Sequence, residues 1–182
     1  VKKPGGSHFI EHEKIKKTVK KEKETMAVEQ TNLNIGFKLK DLTDFERQYV
    51  LYIYCFILGG GPNSKLFKTV REENSLCYGI NATHKAIYNI IYITVGTNKD
   101  DAKKCLSLIK KELNKMAKGD FNDNDIEAAK TTYINSLKDI EDYQSGILKM
   151  YESHEYFKYD CLDERCKKIQ EVTKKDIVDL HK

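Results

Sequence analysis

The stretch FILGGGPNSKLFKTVREENSLCY, Phe56 to Tyr78, decides how the rest of the chain reads. An apolar run ends in Gly59, Gly60 and Gly61, which can turn sharply because glycine alone enters positive φ at little cost. Pro62 cannot continue the preceding helix but can open a new one. Asn63 or Ser64 can cap that new helix, which turns Leu66, Phe67 and Val70 inward. Arg71 then falls one turn beyond Phe67 at the helix end, and Tyr78 at the start of the next strand. Two hydrogen-bond donors are thereby aimed toward one cleft.

Working outward, Leu33, Ile35 and Phe37 alternate with Asn34, Gly36 and Lys38, the period-two pattern of a strand with one buried face. Thr43 and Glu46 form a capping box that opens a helix with Phe45, Tyr49, Ile53, Phe56 and Ile57 on its apolar side. Beyond Tyr78, strands are predicted from about Tyr78 to Ala86 and from Ile90 to Thr97, joined as an antiparallel hairpin through Tyr88 and Asn89. Asp100–Lys118 reads as an amphipathic helix with Ala102, Cys105, Leu106, Ile109, Leu113 and Met116 on one stripe and Gly119 as its stop. A helix capped at Asn124 carries Ala128, Tyr133, Ile134, Leu137 and Ile140. A break near Gln144–Gly146 separates it from another through Met150. Two short helices near 162–171 and 173–181, the second capped by Thr173, finish the chain. Strands early, helices late and hairpin connections together give an α+β fold: an antiparallel sheet with helices packed on one face.

The 182 residues suit a single domain that can bury a sizeable core. Residues 1–25 read as a linker or charged arm and 26–182 as the domain. The arm's eight lysines and four glutamates account for the whole formal charge of +4, leaving the domain close to neutral. Glutamates interrupt the lysines and no aromatic residue is interleaved among them from Glu13 to Glu24, so no nucleic-acid partner is expected. The longest apolar run, Tyr49–Leu58, is too short to span a membrane, so no membrane partner is expected either. Residues VKKPGGSHF carry no secretory h-region. Five cysteines, an odd number without a CxxC pair, fit reduced thiols and a cytoplasmic location.

LGGGPNSKLFKTVREENSLCY resembles the signature of the non-zinc-binding, C-terminal domain of the pitrilysin/insulinase family of zinc metallopeptidases, which includes the mitochondrial processing peptidases. That signature runs L-G-G-G-x-x-S-[RK]-L-F-x-x-[VL]-R-E-x-x-x-L-[AC]-Y, and the likeness extends more loosely from Met26 to Lys182. The resemblance implies the same α+β fold. It also implies that Arg71 and Tyr78 face a zinc site held by another domain and contact the substrate peptide. Zinc is then expected in the parent or partner domain and not on this chain. The implied partners are a zinc-binding N-terminal domain or a homologous subunit, together with a peptide substrate, and dimers occur on this plan.

His8-Phe-Ile-Glu-His12 matches H-x-x-E-H, in which two histidines at i and i+4 bind zinc and the glutamate acts as base. It resembles the motif of the same family's zinc domain, and its context differs. Only about fifty residues separate it from the glycine run, Pro4-Gly5-Gly6 precedes it, and Lys14, Lys16 and Lys17 follow. No third ligand presents itself downstream, and a solvated arm supplies no second shell. His8, Glu11 and His12 are therefore expected to be a chance match and no metal site is assigned. His84, His154 and His181 are scattered, the last placed to meet a helix dipole. The glycine run lacks the spacing of a phosphate-binding loop.

Metal-assisted peptide hydrolysis needs fixed donors for the developing oxyanion and the neighbouring carbonyls. An arginine fork and a phenol can supply them without competing for the metal. The residues alone also allow Arg71 to pair with Glu72 or Glu73 and Tyr78 to be an ordinary strand aromatic. The expectation is a substrate-binding, catalysis-supporting domain, inactive alone. The alternative is a non-catalytic family member acting as a peptide-binding or assembly subunit.

Overall fold

The computed structural model describes residues 15–27 and 29–181. The HFIEH segment, with His8, Glu11 and His12, lies outside the described residues.

Three antiparallel strands form the sheet: β1 (Thr31–Lys38), β2 (Cys77–Lys85) and β3 (Ile90–Thr97), in the order β1-β3-β2. The hairpin β2–β3 forms as the sequence predicts. It closes through a short 3₁₀ turn at Ala86–Tyr88 and Asn89, whose φ of 50° suits an asparagine. β1 joins the far side of β3, with Leu33 opposite Val95 and Ile35 opposite Ile93. Alternation works as expected. Ile91, Ile93, Val95 and Thr97 of β3 and Ile80 and Ala82 of β2 are buried, while Asn32, Asn34, Gly36, Gly79 and Asn81 are exposed on the other face.

The buried face carries the helices. The Thr43–Glu46 capping box forms: the Glu46 carboxylate accepts from the Thr43 backbone N–H and hydroxyl, both at 2.8 Å. The chain then passes through a wide π turn, Glu46–Val50, into α1 (Leu51–Gly59), whose Leu51, Ile53, Tyr54, Cys55, Ile57 and Leu58 lie in the core. α2 (Ala102–Ala117) stops at Gly119, the one glycine with positive φ (+71°) among the described residues. α3 (Asp123–Asp139) starts earlier than expected. Its capping box is Asn122 with Asp125, not Asn124 with Glu127. Both tetrads fit the motif; the earlier one wins because it places Ile126 and Ala129 in the core, leaving Ala128 outside. A 3₁₀ turn at Ile140–Asp142 makes the break slightly earlier than Gln144, and α4 (Gln144–Phe157) runs past Met150. α5 (Leu162–Glu171) and α6 (Lys174–Asp179) complete the chain, the latter capped by Thr173 with Asp176 as its reciprocal partner.

A polar knot fastens α5 to the start of α1. The Tyr49 hydroxyl donates to an Asp160 oxygen at 2.5 Å, and the Lys168 ammonium reaches both Asp160 oxygens at 2.8 and 2.9 Å. Arg165 donates to the Asp160 carbonyl at 2.6 Å, and the Asp160 N–H donates to Gln48 at 3.1 Å.

Candidate functional site: Arg71 and Tyr78 at two backbone irregularities

The glycine run acts differently from the sharp turn expected of it. None of Gly59, Gly60 and Gly61 has positive φ. Gly59 is needed because α1 and β2 touch there: a Cβ on it would lie 2.6 Å from the Ala82 nitrogen and 2.7 Å from the Ala82 Cβ. The run is a contact point first and a bend second. Ser64 donates its hydroxyl back to the Gly61 carbonyl at 2.6 Å, locking the loop instead of capping forward.

The segment from Lys65 begins as an α-helix and widens to a π turn over Phe67–Glu72, where the Glu73 N–H bonds five residues back to the Lys68 carbonyl at 2.9 Å. Such widened turns recur at functional sites. Leu66 and Val70 stay buried and Arg71 faces outward, its guanidinium carbon 4.7 Å from the centre of the Phe67 ring. Among the described residues Arg71 forms no ion pair, so the alternative pairing with Glu72 or Glu73 does not occur.

The chain then folds back. The Ser75 N–H bonds the Arg71 carbonyl at 3.0 Å, the Leu76 N–H bonds Val70 at 3.1 Å, and Ser75 sits at φ 52°. β2 therefore begins beside the wide turn. Cys77 pairs with Thr97 but Gly79 pairs with Gly96, which leaves Tyr78 as the extra residue of a β-bulge. A bulge can re-aim a side chain out of the strand's regular alternation. Tyr78 is 63% exposed, and its hydroxyl donates to the Asn98 side-chain oxygen at 2.9 Å. Burial and the nearby Cys105 thiol raise the Cys77 thiol above its ordinary value, while the Arg71 charge lowers it. The structure thus sets both donors beside one turn, exposed and on successive backbone irregularities.

Sequence reasoning missed two features here. The open face of the sheet forms a shallow concavity of about 360 Å³ over Asn32, Asn34, Gly79, Asn81, Thr94 and Gly96. A separate cavity of about 740 Å³ lies between the glycine loop and the α2–α3 connection, with Asn63, Lys65, Lys68, Phe121 and Asp120 in its wall. Neither Arg71 nor Tyr78 lines the second cavity, so that cavity and the two donors are different places. Runs of glycine and lysine in the sequence are its only signal.

The remaining histidines serve packing. His84 meets the edge of Tyr52 at 6.4 Å, and His154 contacts the Tyr159 carbonyl at 2.7 Å. His181 lies against Tyr54 at 5.4 Å; burial lowers its proton affinity, opposing any gain from the helix dipole. Among the described residues no three His, Cys, Asp or Glu side chains are grouped to hold a metal ion. These residues therefore do not fit a resident zinc. Nor is any described helix long and apolar enough to cross a membrane. All five cysteines are free thiols.

The sequence model described as the peptidase M16 inactive domain matches residues 2–133, most of the chain. The chain belongs to the peptidase M16 inactive-domain family. Among M16-type relatives, it is 26% identical over 153 residues to the Bacillus subtilis protein named "Probable inactive metalloprotease YmfF", covering 83% of this chain and 36% of that protein. It is 28% identical over 113 residues to an uncharacterized zinc protease of Rickettsia bellii, covering 61% of this chain and 27% of the relative. The chain thus spans about a third of these relatives or less. The fold is that of a crystal structure of the peptidase M16 inactive domain from Pseudomonas fluorescens, with TM-score 0.71 and 19% identity over 82% of this chain and 37% of that one.

Proposed function

We propose that this domain is the substrate-binding, catalysis-supporting part of a zinc metallopeptidase, presenting Arg71 and Tyr78 to a peptide held at a zinc site on another domain or subunit. The observation that carries it is the coincidence of two irregularities. A π turn exposes Arg71, which has no carboxylate partner among the described residues, and a β-bulge immediately after it exposes Tyr78. Both departures leave their donor side chain exposed, whereas the π turn at Glu46–Val50 buries Tyr49 and Val50. Relatives named as zinc proteases, in Rickettsia and Bacillus, support the metal in the parent protein.

Chemically, the Arg71 fork suits two acceptors at once, such as a carboxylate or successive carbonyl oxygens. The Tyr78 phenol can exchange its Asn98 acceptor for a substrate oxygen with no change in backbone. Both donors are most effective where charge develops on an oxygen.

The test joins this chain to the zinc-bearing domain of its parent and follows cleavage of a quenched fluorogenic peptide. The chain alone should cleave nothing. In the assembled enzyme, Arg71→Ala or Tyr78→Phe should each lower kcat by roughly 10²–10³, the loss seen for one oxyanion donor. Full turnover in both variants would overturn the assignment.

A second reading has one specific observation behind it. The relative named as an inactive metalloprotease aligns over 83% of this chain. On that reading the same two donors bind peptide in an assembly that does not cut it. Peptide binding sensitive to both substitutions, with no cleavage in the assembled protein, is its signature.

A further inference from the structure

We propose that Glu112 and Thr69 are positioning residues that hold Arg71 in its outward orientation. Glu112 lies on α2 at the spacing of the buried stripe Cys105, Ile109 and Met116, and it is only 1% exposed. A buried carboxylate is costly unless it is bonded. One Glu112 oxygen takes both of its bonds: Lys115 donates at 2.8 Å and the Thr69 hydroxyl donates at 3.2 Å. Thr69 is the third residue of the π turn and sits two residues before Arg71. Its carbonyl is held as well, accepting from the Asn74 side chain at 2.7 Å. Thr69 is therefore fastened on both sides, to α2 through its hydroxyl and to the following turn through its carbonyl. A hydrophobic residue at 112 would fill the stripe without directing anything. The carboxylate instead pins the widened backbone at Thr69, between Phe67 and Arg71, and with it the placement of the Arg71 guanidinium over Phe67. The functional consequence rests on the reading of Arg71 as a substrate donor; the positioning itself does not.

The experiment reads the positioning directly in the 182-residue chain. The Phe67 ring should shift the Arg71 Hδ resonances upfield in NMR spectra, because the guanidinium lies 4.7 Å from the ring centre. Thr69→Val removes the hydroxyl but keeps the shape, and should abolish that shift. Thr69→Ser restores the hydroxyl and should restore the shift. Glu112→Leu should act like Thr69→Val, and the double variant should be no worse than either. A Thr69→Val protein that unfolds more readily but keeps the Arg71 shift would overturn the proposal, because Thr69 would then only stabilise. Failure of Thr69→Ser to restore the shift would overturn it too, by assigning the effect to the methyl group. Cleavage assays on the same variants separate the two claims. An intact Arg71 shift that responds as described, with turnover indifferent to Arg71→Ala, refutes the substrate-donor reading and leaves the positioning standing.

Discussion

Replacing Tyr49 by phenylalanine probes the polar knot that fastens α5 to the first helical turns. Tyr49 is fully buried, and its hydroxyl makes a 2.5 Å bond to Asp160. The ring stays packed after substitution, against Phe45 at 5.5 Å and Tyr133 at 6.3 Å, so only the bond is lost. A hydrogen bond to a charged group contributes about 1.5–3 kcal/mol. For a domain of this size that is a fall in Tm of roughly 3–12 °C, at about 2–4 °C per kcal/mol. The effect should depend on pH. Burial raises the Asp160 carboxyl, but bonds from Lys168 and Tyr49, and the charges of Lys168 and Arg165, outweigh it and hold the carboxyl below its usual range. A group with a depressed folded pKa stabilises the protein above its unfolded value, near 3.9, and that stability is lost as pH falls through the folded value. The Tyr49→Phe deficit should therefore be full at pH 6–7 and shrink below about pH 4, where the bond becomes neutral. Thermal unfolding by circular dichroism, in a cycle with Asp160→Asn, measures the coupling. A deficit unchanged at acid pH, or strict additivity of the two substitutions, would refute the account, since residues sharing a bond must couple.

Gly59→Ala should destabilise by about 1–3 kcal/mol or more, because the added methyl meets the β2 backbone and not a side chain that can swing away. Urea unfolding measures this, and a neutral result would mean α1 and β2 are not in contact at Ala82. His84 sits against Tyr52, and burial, with the Lys85 charge, lowers its proton affinity. The sign follows from linkage: an unfolded His binds protons below about pH 6.5 while the buried one resists, so stability falls as pH drops through that value. His84→Gln should flatten this part of the stability–pH curve, and an unchanged slope would assign it elsewhere.

Much of the fold was legible because its signals are local. Period-two alternation in β1, the β-branched run Ile90–Thr97, the Thr43–Glu46 box and the Gly119 stop each act within a few residues, and each forms. Two equally good capping motifs, at Asn122 and at Asn124, could not be ranked locally; the core packing of Ile126 and Ala129 chose Asn122. Gly59 was legible as important but for the wrong reason, since its contact with Ala82 joins residues far apart in sequence. The Tyr49–Asp160 bond, between residues 111 apart, leaves no periodic trace. Nor does Glu112, a charged residue on an apolar stripe, whose partner Thr69 is 43 residues away. For the site, the spacing of Arg71 and Tyr78 was visible. The π turn and the bulge that expose them were not, because both are single-residue departures from regular hydrogen bonding.

Exposure of Arg71 and Tyr78 limits what they can do unaided. A charge interaction at 4 Å is worth about 1 kcal/mol in water but about 4 kcal/mol at an effective dielectric constant of 20. On the open surface the Arg71 guanidinium has the first figure available and salt screens it further, while the neutral Tyr78 phenol offers only a hydrogen bond. Only a facing surface that excludes water moves the guanidinium toward the second. Because both donors are exposed and neither is ion-paired among the described residues, removing either should leave stability within about 0.5 kcal/mol of the parent chain. The expectation for the isolated chain is then specific. A fluorescein-labelled, unstructured acidic peptide should bind weakly, lose affinity between low and physiological salt, and lose most of that salt dependence in Arg71→Ala. If a zinc-bearing domain encloses the peptide as proposed, the joined protein should bind more tightly and with less sensitivity to salt. Fluorescence anisotropy reads both. If binding by the joined protein remained as weak and as salt-sensitive as binding by the single chain, the donors would not be facing an enclosed site, and their exposure would be that of an ordinary protein surface.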